Sequence, residues 1–124
     1  PHRVVGFLGD PDPMHQDDNA ESMKKEIAEW DYTFPYLIDS DQTAAMAYDA
    51  ACTPDFYVFD RDLRLAYRGQ LDGSRPSNAI PVTGGDLRAA LEAIIADKRV
   101  SERQLPSIGC NIKWKPGNEP DWCK

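Results

Sequence analysis

The stretch AACTPDFYVFDRDLRLAYRG, residues 50–69, decides how this chain folds. DFYVFD (55–60) and LRLAYRG (63–69) alternate well enough to be two antiparallel strands, with Arg61 to Leu63 making the turn between them. Thr53-Pro54 stands immediately before the first of them, and Cys52 is one residue further back. Proline opening a strand is permitted, because its missing N–H falls outside the ladder. An X-Pro bond is also where a cis peptide is cheap, within ~1 kcal/mol of trans before tertiary context acts. In that geometry the backbone of Thr53 would face outward, free to pair with an extended, cysteine-bearing partner. The alternative is an ordinary trans proline at a strand start.

The flanking segments predict the remaining elements. RVVGFLG (3–9) is a short apolar run closed by Gly9, Asp10 and Pro11, which suits a buried strand. DPDPMHQ (10–16) is a loop. DNAESMKKEIAEW (18–30) predicts a helix with Asp18 and Glu21 at capping-box spacing, and Met23, Ile27 and Trp30 on one apolar face. Pro35 pushes Phe34 into extended geometry, and Tyr36 to Ile38 make a short edge strand. Asp39 caps a second, Ala-rich helix within 40–50, with Gln42 at the reciprocal position.

Downstream, QLDGSRPSNAIPVTGG (70–85) is a long polar loop. A third helix begins at Thr83, with Asp86 at the box position and Leu87, Leu91, Ile94 and Ile95 toward the sheet. After Val100 the helical period stops. Ile108, Cys110, Ile112 and Trp114 then alternate, which predicts an extended tail with one side against protein. The order β, α, short β, α, β, β, α, tail is α/β. Its first two strands are joined through a helix and so are candidates for parallel pairing, whereas the hairpin must be antiparallel.

Composition narrows the function classes. At 124 residues the chain is one domain by length. It is 41% hydrophobic and 28% charged, ordinary for a globular protein, and no apolar run approaches the ~20 residues of a membrane helix. The net charge of −7, from 14 basic and 21 acidic residues, repels phosphate backbones and argues against nucleic acid as a partner. Asp10, Asp12, Asp17, Asp18 and Glu21 cluster early, which reads as a solvated loop and helix start. The three cysteines, Cys52, Cys110 and Cys123, form neither a CxxC pair nor a secreted disulfide framework. His2 and His15 sit at no ligand spacing relative to them, so zinc is poorly supported.

The segment FPYLIDSDQTAAMAYDAACTPDFYVFDRDLRLAYRGQLD (34–72) resembles the peroxiredoxin-like branch of the thioredoxin superfamily, the alkyl hydroperoxide reductase and thiol-specific antioxidant type of redoxin domain. The resemblance rests on the FPYL-x-D turn into a helix, the Ala-Tyr near that helix's end, the Thr-Pro, the aromatic strand ending in Asp, and the Tyr-Arg-Gly closing the next strand. SRPSNAIPVTGGDLRAAL (74–91) and PSIGCNIKWKPGN (106–118) extend it to residues 3–118. It implies a thioredoxin-like mixed sheet flanked by helices over 1–100, with an extended tail over 101–124 packed on that domain. It implies that Thr53 and Pro54 are the substrate-binding cis-proline segment lying against the active-site cysteine. That cysteine belongs upstream of Pro1, so the chain looks N-terminally incomplete, and a signal peptide stays open.

The implied activity is thiol-dependent reduction of a peroxide or a disulfide, without metal or organic cofactor. The implied partner is a dithiol reductant protein or a disulfide-bearing protein, in the cytoplasm, with no membrane. The competing class is a non-catalytic thioredoxin-fold module that binds a protein or small ligand.

The thiols keep two readings each. Cys52 follows a helix, whose negative C-terminal dipole raises a thiol pKa. It is either a resolving cysteine or a buried structural one. Cys110 has Lys113 and Lys115 close in sequence, and either reaches the active site from the tail as a resolving cysteine or helps seal an apolar groove. Cys123 receives no role. Arg68 and Arg75 are candidates for holding an acidic group or are solvated, and Asp55 and Asp60 are strand-end or turn groups.

Overall fold

The computed structural model describes residues 5–8 and 19–123. Asp10, Asp12, Asp17, Asp18, His2, His15 and the 10–16 loop lie outside those residues. The architecture is mixed α/β: β1 (Gly6–Leu8), α1 (Ala20–Trp30), β2 (Tyr36–Ile38), α2 (Thr43–Ala47), β3 (Cys52–Thr53), β4 (Phe56–Phe59), β5 (Leu65–Gly69), α3 (Gly85–Ile95), β6 (Cys110–Asn111) and a final 3-10 turn (Asp121–Cys123). The described strands pair in three two-stranded ladders, not in one continuous mixed sheet. The chain forms two compact units, residues 1–50 with 112–124, and residues 51–111, so the 101–124 tail is shared between them.

In the first unit β1 and β2 run parallel, in the register Gly6↔Tyr36, Phe7↔Leu37, Leu8↔Ile38. Parallel neighbours need a crossover, and α1 supplies it. Gly6 allows the close pairing, since a Cβ there would stand 3.2 Å from the Tyr36 ring and 3.3 Å from Phe34. The Asn19 side chain caps α1 by accepting from the Ser22 amide at 3.0 Å, the role the sequence assigned to Asp18. Met23 is buried, which removes about 1.5–3 kcal/mol worth of apolar surface from water. Trp30 departs from the expected core face and is 67% exposed. It is the last helical residue, and Asp31 at φ 51 turns the chain away directly after it.

The Asp39 carboxylate does cap α2, accepting from the Ala44 and Ala45 amides at 3.0 and 2.8 Å. Gln42 is not its reciprocal partner. It is buried in the left-handed region (φ 62), and its side chain turns to the tail. Its Nε2 donates to the Lys113 carbonyl at 3.0 Å, and its Oε1 accepts from the Lys115 amide at 2.8 Å and from Asn118 Nδ2 at 3.2 Å. One side-chain amide therefore does for 113–115 what a neighbouring strand would do. Ile112 is buried and Trp114 half-buried in this unit, so the later half of the predicted alternation packs.

In the second unit β4 and β5 form the expected antiparallel hairpin, with an irregularity between Val58 and Phe59. Asp60 builds its turn by accepting from the Asp62 and Arg64 amides at 2.9 and 3.0 Å. Among the described residues, the outer side of β5 pairs with no strand. There Gln104 Oε1 accepts from the Arg68 amide at 3.0 Å and its Nε2 donates to the Ala66 carbonyl at 2.9 Å. This is one physical reason the ladder stops at two strands. Gly69 permits the approach of the following segment, for a Cβ there would lie 2.5 Å from the Leu105 carbonyl oxygen and 2.9 Å from the Tyr67 hydroxyl.

α3 packs on β5 and β4. It begins at Gly85, two residues later than expected, and Asp86 accepts from Gln70 Nε2 at 2.6 Å instead of reaching back to Thr83. Gly84, its N-cap, makes no side-chain cap bond; the Asp72 carboxylate instead pins the approach to the helix by taking the Thr83 and Gly84 amides. Ala90 is the buried residue of the helix, and Leu91 and Ile95 are exposed, so the packed face is rotated toward the small side chain. Ile108 and Cys110 are exposed too, and the earlier half of the tail alternation does not seal a groove.

Candidate functional site

Every site residue proposed from sequence falls in the second unit. β3 and β6 pair antiparallel with Cys52 opposite Asn111 and Thr53 opposite Cys110. Strand alternation places Thr53 and Cys110 on one face of this ladder, and both are exposed. The Thr53–Pro54 peptide is cis, and Pro54 is exposed. The expectation that the Thr53 backbone stands unpaired is corrected: the chain's own tail lies along it. Gly109 comes so near that a Cβ on it would overlap the Thr53 carbonyl oxygen and stand 2.8 Å from the carbonyl carbon.

Cys52 is buried. Its Sγ lies 3.6 Å from the Pro54 carbonyl oxygen and 3.5 Å from that of Ser107, to which the thiol donates. Burial first, then the Asp55 carboxylate, push this thiol above its ordinary range, while the Gly109 amide and Arg68 pull it the other way. The rise has the direction read from sequence, with burial as its leading cause rather than a helix end. Cys52 is therefore a thiol and not a thiolate at neutral pH. Cys52, Cys110 and Cys123 are all free, and the last two are exposed.

Arg68 sits 3.4 Å from Asp55 and 5.2 Å from the centroid of the Tyr57 ring, whose hydroxyl donates to the same carboxylate at 2.9 Å. Arg75 is bound to the protein's own loop: it donates to the Asp72 and Ser74 carbonyls at 3.0 and 2.6 Å and to Gln70 Oε1 at 2.6 Å. The polar loop is thus a network centred on Asp72, a role that its sequence context does not signal beyond an Asp-Gly turn. Lys115, whose charge the sequence placed near Cys110, donates instead to the Ser40 carbonyl in the first unit. A separate shallow cleft in that unit runs between Met46, Asp49, Trp114 and residues 117–121, and contains none of the sequence-predicted site residues. Among the described residues no helix is long and apolar enough to cross a membrane.

Solved structures similar to this chain include two of uncharacterised proteins. One is a hypothetical protein from Sinorhizobium meliloti 1021, at 47% identity and a TM-score of 0.87, covering 93% of this chain and 63% of that one. The other is an uncharacterized conserved protein from Geobacillus kaustophilus, at 56% identity and a TM-score of 0.87, covering 93% of this chain and 61% of that one. The chain thus spans less than two thirds of the length of either. Neither a protein-family model nor a curated protein matches it.

Proposed function

We propose that this chain is the substrate-facing part of a thiol-dependent oxidoreductase, peroxiredoxin-like and thioredoxin-like in fold, that reduces a peroxide or a disulfide in the cytoplasm. One observation carries the reading: an exposed Thr53-Pro54 segment flanked by the buried Cys52 and faced across a ladder by the exposed Cys110. The parallel β–α–β unit, the later hairpin and the closing helix agree with it, as does the motif series from Phe34 to Gly69.

Cys52 is a poor attacking group, because its pKa is raised. In keeping with the redoxin resemblance, the attacking thiolate is assigned to polypeptide outside these residues. A peroxide would oxidise it to a sulfenic acid and leave as the alcohol. The Cys110 thiol would condense with that sulfenic acid, forming a disulfide and releasing water. A dithiol protein would then reduce the disulfide by exchange.

The second reading, a non-catalytic binding module, draws on the covered Thr53 edge and the inert Cys52. The full-length protein decides between them. Alkylation at neutral pH, mapped by mass spectrometry, is expected to find one fast thiol outside residues 1–124. Its replacement by serine stops turnover of peroxide or disulfide, and Cys110→Ser leaves a dimedone-trappable sulfenic acid. Uniformly slow thiols with no turnover would leave the binding module standing. Peroxide turnover by residues 1–124 alone would overturn the assignment of the attacking thiol.

A further inference from the structure

We infer that residues 109–111 are a resident occupant of the Thr53 edge, a built-in strand that an incoming extended segment must displace, and that the edge accepts only segments with glycine just before the residue opposite Thr53. This deepens the redox reading and rests on it, since it states what controls access to the same edge.

Three observations support it. β6 is two residues long, and its register sets Cys110 opposite Thr53, where a visiting cysteine would stand. Two paired residues make a weak ladder that an external strand can replace. The second is Gly109. A side chain there would overlap the Thr53 carbonyl oxygen and stand 3.3 Å from Pro54 N. Carbonyl and proline nitrogen are backbone and cannot swing aside, so the requirement belongs to the edge and applies to any strand in this register. The third is exposure: Thr53, Gly109, Cys110 and Asn111 are all exposed, so exchange of strands uncovers little apolar surface. A tethered strand competes at an effective concentration of about the millimolar range, enough to exclude weak partners while yielding to strong ones.

The test uses a fluorescent peptide spanning residues 106–113 with Cys110→Ser, so that no thiol chemistry enters. Gly109→Ala in the protein expels the resident strand, and the peptide is expected to bind this variant at least about tenfold more tightly than wild type. The same peptide carrying Gly109→Ala binds neither. In the wild-type protein, saturating peptide is expected to speed hydrogen exchange within residues 109–111, at the amide that bonds across the ladder. This second measurement decides alone if the variant does not melt cooperatively. Equal binding to both proteins, binding by the alanine peptide, exchange unchanged at saturation, or no binding at all would overturn the inference. Loss of the redox reading shows separately, as the lack of a fast thiol in the full-length protein.

Discussion

Asp72 holds the start of α3 from a distance: its carboxylate accepts from the Thr83 and Gly84 amides at 2.7 and 2.6 Å, across the whole polar loop. Its other oxygen takes the Ser74 amide at 2.9 Å and the Ser74 hydroxyl. These bonds, the Ser74 hydroxyl first, hold its carboxyl well below the ordinary 3.8. A depressed folded pKa adds stability that is complete above the unfolded value and is lost as pH falls toward the folded one. Asp72→Asn is therefore expected to lower Tm at pH 7, with the gap to wild type narrowing below about pH 3.8. Thermal melts of both proteins from pH 7 to pH 2.5 measure this, and a gap that ignores pH would refute it.

Gln42 is the buried anchor of residues 113–118 in the first unit. Gln42→Leu leaves the Lys113 carbonyl and Lys115 amide without this partner, at a cost of about 2–4 kcal/mol. Urea denaturation gives the loss, and limited trypsin digestion is expected to nick the chain after Lys113 sooner than in wild type. Equal digestion patterns would count against the anchor.

Leu63 occupies the left-handed region at φ 59 and is 82% exposed. That conformation costs an L-residue about 1–2 kcal/mol, and glycine escapes it while adding about 0.5–1 kcal/mol of unfolded-state entropy. Leu63→Gly should therefore stabilise the protein by about 0.5 kcal/mol. A urea midpoint that falls would show the turn to be held by the leucine side chain after all.

Cys110 and Cys52 differ in exposure and setting. With iodoacetamide at pH 7, the exposed Cys110 is expected to react faster than Cys52, whose thiol is buried and pushed above its ordinary range. Peptide mapping over a time course reads both rates, and comparable rates would remove the distinction drawn between the two thiols.

Much of this was legible from residue patterns, with limits that have physical causes. Period-two alternation found β4 and β5, and proline with its neighbours found β2 at its observed bounds. Helix ends were less legible. Asp39 and Asn19 cap their helices, whereas Asp72 holds the two residues before α3 from a loop position that no local spacing rule reaches. The apolar stripe of α3 pointed at its large residues, whereas close packing on β5 and β4 selected Ala90. At the candidate site, Cys52, Thr53, Pro54 and Cys110 were legible as sequence features. The pairing of the last with Thr53 was not, because a two-residue ladder leaves almost no periodic trace, and Gly109 matters only once the Thr53 carbonyl is beside it.

Gln104 closes the outer flank of β5 with a single carboxamide, taking one donor and one acceptor that a strand would otherwise claim. A hairpin finished in this way presents fewer open groups to a neighbouring molecule on that flank, which disfavours lateral stacking of copies there. The Leu105 carbonyl and Ser107 hydroxyl add bonds at Gln70 and Gly69, and chemical deamidation of Gln104 to glutamate would remove the donor half of its share.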